Sequence, residues 1–279
     1  MREIFVSDIA AKVAELCVRA CVEVSPEIRR LMQAARPLDA GLGGQVLEKM
    51  LLNQEIAKSE RMPICQDTGM VVVFVRIGQD VRIVGGSLDE AITDGVRMGY
   101  DKGFLRKSVV EDPIRRVNTG DNAPAIIHYE IVPGDGFHIT VSPKGFGSEN
   151  MSRLVMLVPA DGIEGIKNFV LETVIKAHSN ACPPIIVGVG IGGSFELSAI
   201  MAKKALLRKL GEAHPDPFWA EVEAELLVKI NETNIGPAGL GGRLTAMAVH
   251  INTYATHIAG LPLAVNLGCH VNRHEEGEL

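Results

Sequence analysis

Three cysteines stand apart from the rest of the chain by their surroundings. Cys65 lies in Met62-Pro63-Ile64-Cys65-Gln66-Asp67-Thr68-Gly69, Cys182 in Asn180-Ala181-Cys182-Pro183-Pro184, and Cys269 in Asn266-Leu267-Gly268-Cys269-His270. Proline or glycine interrupts the regular backbone beside each thiol, which predicts all three at loop ends. Taken singly, each is also readable as a buried thiol, because free cysteine packs as a small hydrophobe. Taken together, three thiols at loop ends are what a soft, thiolate-seeking metal centre requires. Structural zinc draws cysteines from short C-x-x-C pairs, whereas these three are 117 and 87 residues apart. An iron–sulfur cluster accepts ligands from distant loops. Three cysteines on a four-iron cluster leave one iron open as a Lewis acid, which points to bond chemistry rather than electron transfer.

Two other patterns compete for attention. Val187-Gly188-Val189-Gly190-Ile191-Gly192-Gly193 satisfies G-x-G-x-x-G after an expected strand and before an expected helix. A dinucleotide site also needs a second strand ending in an acidic residue about 20 residues later. Here the helix runs instead into Gly211-Glu212-Ala213-His214-Pro215-Asp216-Pro217. A tight strand-to-helix turn with anion-accepting N–H groups is the preferred reading, and a nicotinamide-dependent dehydrogenase using the Gly188 loop is the alternative from a different class. Cys17 and Cys21 are four apart on a helix that has no histidine, and align with Val13 and Val24, so they read as core.

The elements that must position these residues follow from periodicity and turn chemistry. Ser7 to Val24 has apolar residues at three- and four-residue steps, with Ser7 as a candidate N-cap. Ser25-Pro26-Glu27 opens a second helix and Val46 to Glu60 forms a third, so the segment 1–60 is predicted helical. Met70 to Ile77 and Val81 to Val84 read as a hairpin through Gly78-Gln79-Asp80. Ala125 to Val132 and Phe137 to Val141 read as another around Pro133-Gly134-Asp135-Gly136. Ser87-Leu88-Asp89-Glu90 is a capping box. Helices are expected over 163–178, 195–210 and 219–232, with strands over 185–189, 244–254 and 261–267. The fold class is therefore α/β with α+β character, mixed or antiparallel sheets surrounded by helices. No repeat or linker is evident, and residues 1–279 read as one domain.

Composition excludes several functions. With 279 residues, 47% apolar, 22% charged and 4% aromatic, the chain is globular, and its 28 basic against 34 acidic residues disfavour a nucleic-acid surface. No apolar run approaches the roughly 20 residues of a membrane span, and no leader is visible at the N-terminus. Five cysteines, odd in number and mostly dispersed, suit a reducing compartment, so the expected location is cytoplasmic.

At Cys65-Gln66-Asp67-Thr68-Gly69, at Lys144-Gly145-Phe146-Gly147-Ser148-Glu149-Asn150, and at His257-Ile258-Ala259-Gly260-Leu261-Pro262 leading to Gly268-Cys269-His270, the sequence resembles class I fumarases. It is most similar to the alpha subunit of the two-subunit fumarate hydratase and L-tartrate dehydratase family, over essentially the whole chain. The resemblance implies the cluster-binding N-terminal domain of that family, with a 4Fe-4S cluster held by Cys65, Cys182 and Cys269. It implies dicarboxylate contacts from Gln66, Asp67, Arg106, Gly145, Ser148 and Asn150, and casts Asp67 and His257 as catalytic groups. Phe146 departs from an all-glycine form of its loop. The function implied is reversible hydration of fumarate to L-malate, with L-tartrate dehydration as the near rival and a non-catalytic iron–sulfur scaffold as a third. The partner implied is a beta subunit carrying the catalytic base, in an assembly of two alpha and two beta chains.

Overall fold

The structure is a computed structural model and describes residues 2–279. In chain order the elements begin with β1 (Arg2–Phe5), α1 (Val6–Val22), α2 (Pro26–Ala35), α3 (Leu42–Glu60), β2 (Met70–Gly78), β3 (Val81–Val84), α4 (Leu88–Lys102), β4 (Ile126–Val132) and β5 (Phe137–Lys144). They continue with α5 (Phe146–Glu149), β6 (Arg153–Leu157), α6 (Gly162–Ala177), β7 (Ile185–Gly193), α7 (Phe195–Ala205), α8 (Pro217–Glu232), β8 (Ala246–Thr256), β9 (Leu261–Gly268) and β10 (Glu275–Glu278). The chain is an α/β fold. Among the described residues no helix is long and apolar enough to cross a membrane.

The expected caps are present at two helices. The Ser25 hydroxyl accepts from Ile28 N–H at 3.3 Å with Pro26 in the first turn of α2, and the Ser87 hydroxyl accepts from Glu90 N–H at 3.4 Å. At α1 the expectation fails. The helix begins at Val6, and Ser7 contacts the Asp8 carboxylate instead of a backbone N–H.

The chain divides into two compact units. The first comprises the residues up to Val24, Asn53–Phe146 and Arg273–Leu279. Its main sheet has the order β10-β5-β2-β4, with β2 parallel to β4 and the other pairs antiparallel, and β1 pairs in parallel with β3. Its core joins Val71, Val73 and Val75 of β2 to Ile9, Val13 and Leu16 of α1 and to Ile92, Val96 and Tyr100 of α4.

Neither expected hairpin forms in this unit. β2 does not pair with β3, and β4 and β5 flank β2 on opposite sides instead of pairing with each other. Five successive buried residues, Val71 to Val75, mark a central strand that needs both edges occupied. The turn at 133–136 arches over the end of β2. Gly78 N–H donates to Gly136 O at 2.8 Å, Gln79 N–H to Val132 O at 2.9 Å and Asp80 N–H to Gly134 O at 3.0 Å, so the groups a tight β2–β3 hairpin would use are already taken.

The second unit comprises Ser25–Leu52 and Gly147–Asn272. Its sheet has the order β6-β9-β7-β8, with β7 parallel to β8 and the other pairs antiparallel. The Gly188 motif is not a loop here, because β7 runs unbroken through Gly193. A Cβ at Gly188 or Gly190 would collide with the backbone oxygens of Ala202 or Ser198 on α7. These glycines let a helix lie close against the strand, which removes the loop on which the dehydrogenase alternative rested.

No sequence repeat announces it, yet the two units share a chain path. In each, a central strand (β2 or β7) leads through helix to a parallel neighbour (β4 or β8). The chain then crosses the end of the central strand to an antiparallel neighbour on its other side (β5 or β9). The start of the central strand therefore lies beside the end of the third in both cases: Met70 pairs with Lys144, and Ile186 with Gly268.

Candidate active site

That shared end of each sheet carries the residues singled out by the sequence. In the first unit, the loop ending in Gly69 enters β2 beside the last residue of β5. Its backbone is fixed from several directions. Ile64 N–H donates to Cys21 O at 2.9 Å, and Asn53 donates to Ile64 O at 2.8 Å. The Tyr100 hydroxyl donates to Thr68 O at 2.7 Å and Gly69 O at 3.0 Å, and Asn122 donates to Gly69 O at 3.2 Å. Burial pushes the Tyr100 phenol well above its ordinary value, which keeps it a donor. Gly69 has φ +83° and its α-carbon faces the Lys144 backbone so closely that any Cβ would sit 2.7 Å from the Lys144 carbonyl carbon.

Within this frame Cys65 is half-buried, Gln66 is exposed and Asp67 is half-buried. Both carboxylate oxygens of Asp67 are engaged: Oδ1 accepts from Gly69 N–H at 2.9 Å and Oδ2 from Phe146 N–H at 2.8 Å. Gly145 lies directly against this carboxylate, since a Cβ there would be 3.2 Å from Oδ2. Arg106 is exposed, and its carbonyl accepts from the Thr68 hydroxyl at 2.9 Å, which ties its loop to the Cys65 loop. The first unit thus gathers Cys65, Gln66, Asp67, Arg106 and Gly145.

In the second unit Cys182 precedes β7 and Cys269 follows β9. His270 N–H donates to Cys182 O at 3.1 Å and joins the two loops. Cys182 is exposed and has φ +55°, a left-handed conformation that few residues other than glycine adopt and that concentrates at functional sites. Its own N–H donates to Ser179 O at 2.9 Å, so the strained residue is held from both sides. The turn carrying buried Ser148 and exposed Asn150 is close by, with a Cβ on Gly147 lying 3.5 Å from Asn180 O. Glu149 anchors that turn. It accepts from Lys203 at 2.5 Å and from the buried Asn266 amide at 2.8 Å.

His257 is not with these residues. It is exposed in the connection from β8 to β9, and its Nδ1 accepts from Ala259 N–H at 3.2 Å. The eight residues of β9 separate it from Cys269, and at the rise of an extended strand they span about 25 Å. His270 and His274 have metal-site spacing in sequence, but no helix covers them to bring the two rings onto one face.

The five thiols fall into two chemical classes. Cys17 and Cys21 are fully buried between α1 and the sheet. Burial raises the Cys17 thiol well above its ordinary value and pushes Cys21 up to about 11, so neither is a ready thiolate. Cys65, Cys182 and Cys269 reach solvent on braced loops. As soft donors they fit an iron–sulfur group in type and accessibility.

Sequence reasoning missed Tyr100, Asn122 and Arg273. Each acts through partners distant in the chain: Tyr100 through Thr68 and Gly69, Asn122 through Gly69 and Ser108, and Arg273 through Pro143 and Asp67. Asn122 is fully buried, and its side-chain oxygen accepts from Ser108 N–H at 2.7 Å. Arg273 is buried against Asp67.

Comparison with known proteins places this geometry in context. A family model described as Fumarate hydratase (Fumerase) matches residues 10–278. A putative L(+)-tartrate dehydratase subunit alpha of Methanocaldococcus jannaschii is 40% identical over 267 residues, covering 94% of each chain. An L(+)-tartrate dehydratase subunit alpha of Escherichia coli is 36% identical over 250 residues, covering 88% of this chain and 82% of that one.

Proposed function

Because the chain belongs to the fumarate hydratase (Fumerase) family and is a hydro-lyase of its alpha-subunit type, we propose that it catalyses the reversible addition of water to fumarate, giving L-malate, together with a beta subunit. The observation that supports this most is Cys182: an exposed thiol on a strained, doubly held residue, its loop joined to that of Cys269. Cys65, Cys182 and Cys269 are the proposed ligands of a 4Fe-4S cluster. When bound, that cluster supplies a Lewis-acidic iron, which eases the departure or addition of hydroxide.

The chain's own residues do the rest of this half of the work. Arg106 offers a planar fork of donors to a substrate carboxylate, and its loop is fixed by Thr68. Gln66 is an exposed neutral donor beside the first thiol. Gly145, a proposed substrate contact, packs against the Asp67 carboxylate, and Ser148 and Asn150 belong to the corresponding turn of the second unit. Asp67 holds the Gly69 and Phe146 amides in place and presents a carboxylate of fixed orientation. Arg106→Ala should raise KM and lower kcat with the iron content unchanged, a loss of at least roughly tenfold in kcat/KM, since truncating one side of a desolvated ion pair costs about 2–5 kcal/mol. Wild-type kinetics in this variant would return Arg106 to the solvent.

The second reading, dehydration of L-tartrate, is favoured by the names of the relatives in Methanocaldococcus jannaschii and Escherichia coli. One experiment separates the two. The chain and its beta partner are assembled anaerobically with iron and sulfide, then assayed in parallel for loss of fumarate absorbance and for conversion of L-tartrate to oxaloacetate. Faster turnover of fumarate supports the proposal, and faster turnover of tartrate replaces it. Exposure to air should abolish activity, and ferrous iron with a thiol reductant should restore it, because an iron without a cysteine ligand is readily lost on oxidation.

A further inference from the structure

Arg273 is only 6% exposed, and its side chain is committed in two directions. Nε donates to Pro143 O at 3.2 Å, at the end of β5, and Nη2 donates to Asp67 O in the Cys65 loop. Its own carbonyl accepts from the Ser142 hydroxyl at 3.3 Å, so the residue is fastened to β5 through backbone and side chain alike. A Cβ placed on Gly145 would lie 3.4 Å from Nη2 and 3.2 Å from Asp67 Oδ2, so guanidinium and carboxylate both pack close to that glycine. The carboxylate also receives the Gly69 and Phe146 amides.

From this geometry we infer that Arg273 is a positioning residue. It clamps the Asp67 turn to the end of β5, and so holds the Asp67 carboxylate in a single orientation toward the dicarboxylate. The inference rests on the proposed function for its consequence in catalysis, but the clamp itself is independent of it. Arginine suits the task because its fork reaches two carbonyls along different directions, whereas a lysine ammonium is a single point of charge on a flexible stem. Without the clamp the turn keeps its other bonds, from Tyr100, Asn122 and Thr68, so the chain should fold while the carboxylate gains freedom.

The test compares wild type, Arg273→Lys and Arg273→Ala, each assembled with the beta partner, by two readouts. In amide hydrogen exchange, the Gly69 and Phe146 amides should exchange at least about tenfold faster in Arg273→Ala, while those of β7 and β9 stay unchanged. Turnover per iron-loaded chain should fall roughly tenfold or more with KM altered less than about threefold, and methylguanidinium should restore part of it in Arg273→Ala but not in wild type. If Arg273→Ala does not accumulate, Arg273→Lys carries the comparison, with the same directions and a smaller change. Wild-type protection of both amides, or wild-type turnover per loaded chain, would overturn the clamp. A wild-type enzyme fully loaded with iron but inactive on dicarboxylates would instead overturn the proposed function, while the exchange data would still decide the role of Arg273.

Discussion

Cys182→Ser should give a folded chain that no longer takes up iron and has no measurable turnover. Serine is nearly isosteric, and the bonds to Ser179 O and from His270 N–H are made by the backbone of residue 182, so the left-handed turn should survive the change. What is lost is the soft thiolate, and a hydroxyl is a poor substitute for it at iron. The same outcome is expected for Cys65→Ser and Cys269→Ser. Cys17→Ala and Cys21→Ala form the contrast. Their thiols are sealed in the core with raised pKa, so these variants should bind a full complement of iron and lose only stability, by about 0.5–3 kcal/mol. Iron and sulfide analysis beside thermal unfolding distinguishes the two groups. Full iron content in Cys182→Ser would remove that residue from the ligand set.

The second large effect concerns the partner. Adding water across a double bond needs a general base and a general acid on suitable sides of the substrate, in addition to a Lewis acid. In this chain Asp67 already spends both carboxylate oxygens on backbone amides, and His257 lies at the far end of β9 from Cys269. Loss of a general base costs about 10²–10⁴ in rate. The isolated chain, reconstituted with iron and sulfide, should therefore hold its cluster yet turn over at least a hundredfold more slowly than with the beta subunit. A titration of the partner at fixed chain concentration measures this, and full activity before any addition would refute the division of labour.

What the sequence made legible was local. Proline and glycine beside three cysteines signal loops without reference to any distant residue, and the loops are there. Ser25 and Ser87 announce helix starts by their own side chains. Pairing between strands is a non-local choice, and there the turn residues misled: Gly78-Gln79-Asp80 is a good hairpin turn, but the core prefers β2 in the centre of its sheet, and the 133–136 turn takes the available N–H groups. The site divides along the same line. That Asp67 is a carboxylate beside a thiol can be read directly, whereas its acceptance of an amide 79 residues away cannot. His257 and Cys269 are twelve positions apart in the sequence, and the extended strand β9 lies between them.

The pairing of β10 with β5 has a consequence for how the molecule comes into being. Every segment of the second unit lies between Ser25 and Asn272, whereas the first unit is finished only by residues 273–279. During synthesis from the N-terminus, the interrupting unit can fold while its host still waits with one side of β5 unpaired. An open strand edge is adhesive toward other chains, so this interval is the one in which nascent copies are most exposed to wrong partners. The residue that closes the interval beside Asp67 is Arg273, at the start of that returning segment. The arrangement around the first thiol is therefore among the last parts of the first unit to acquire its final form.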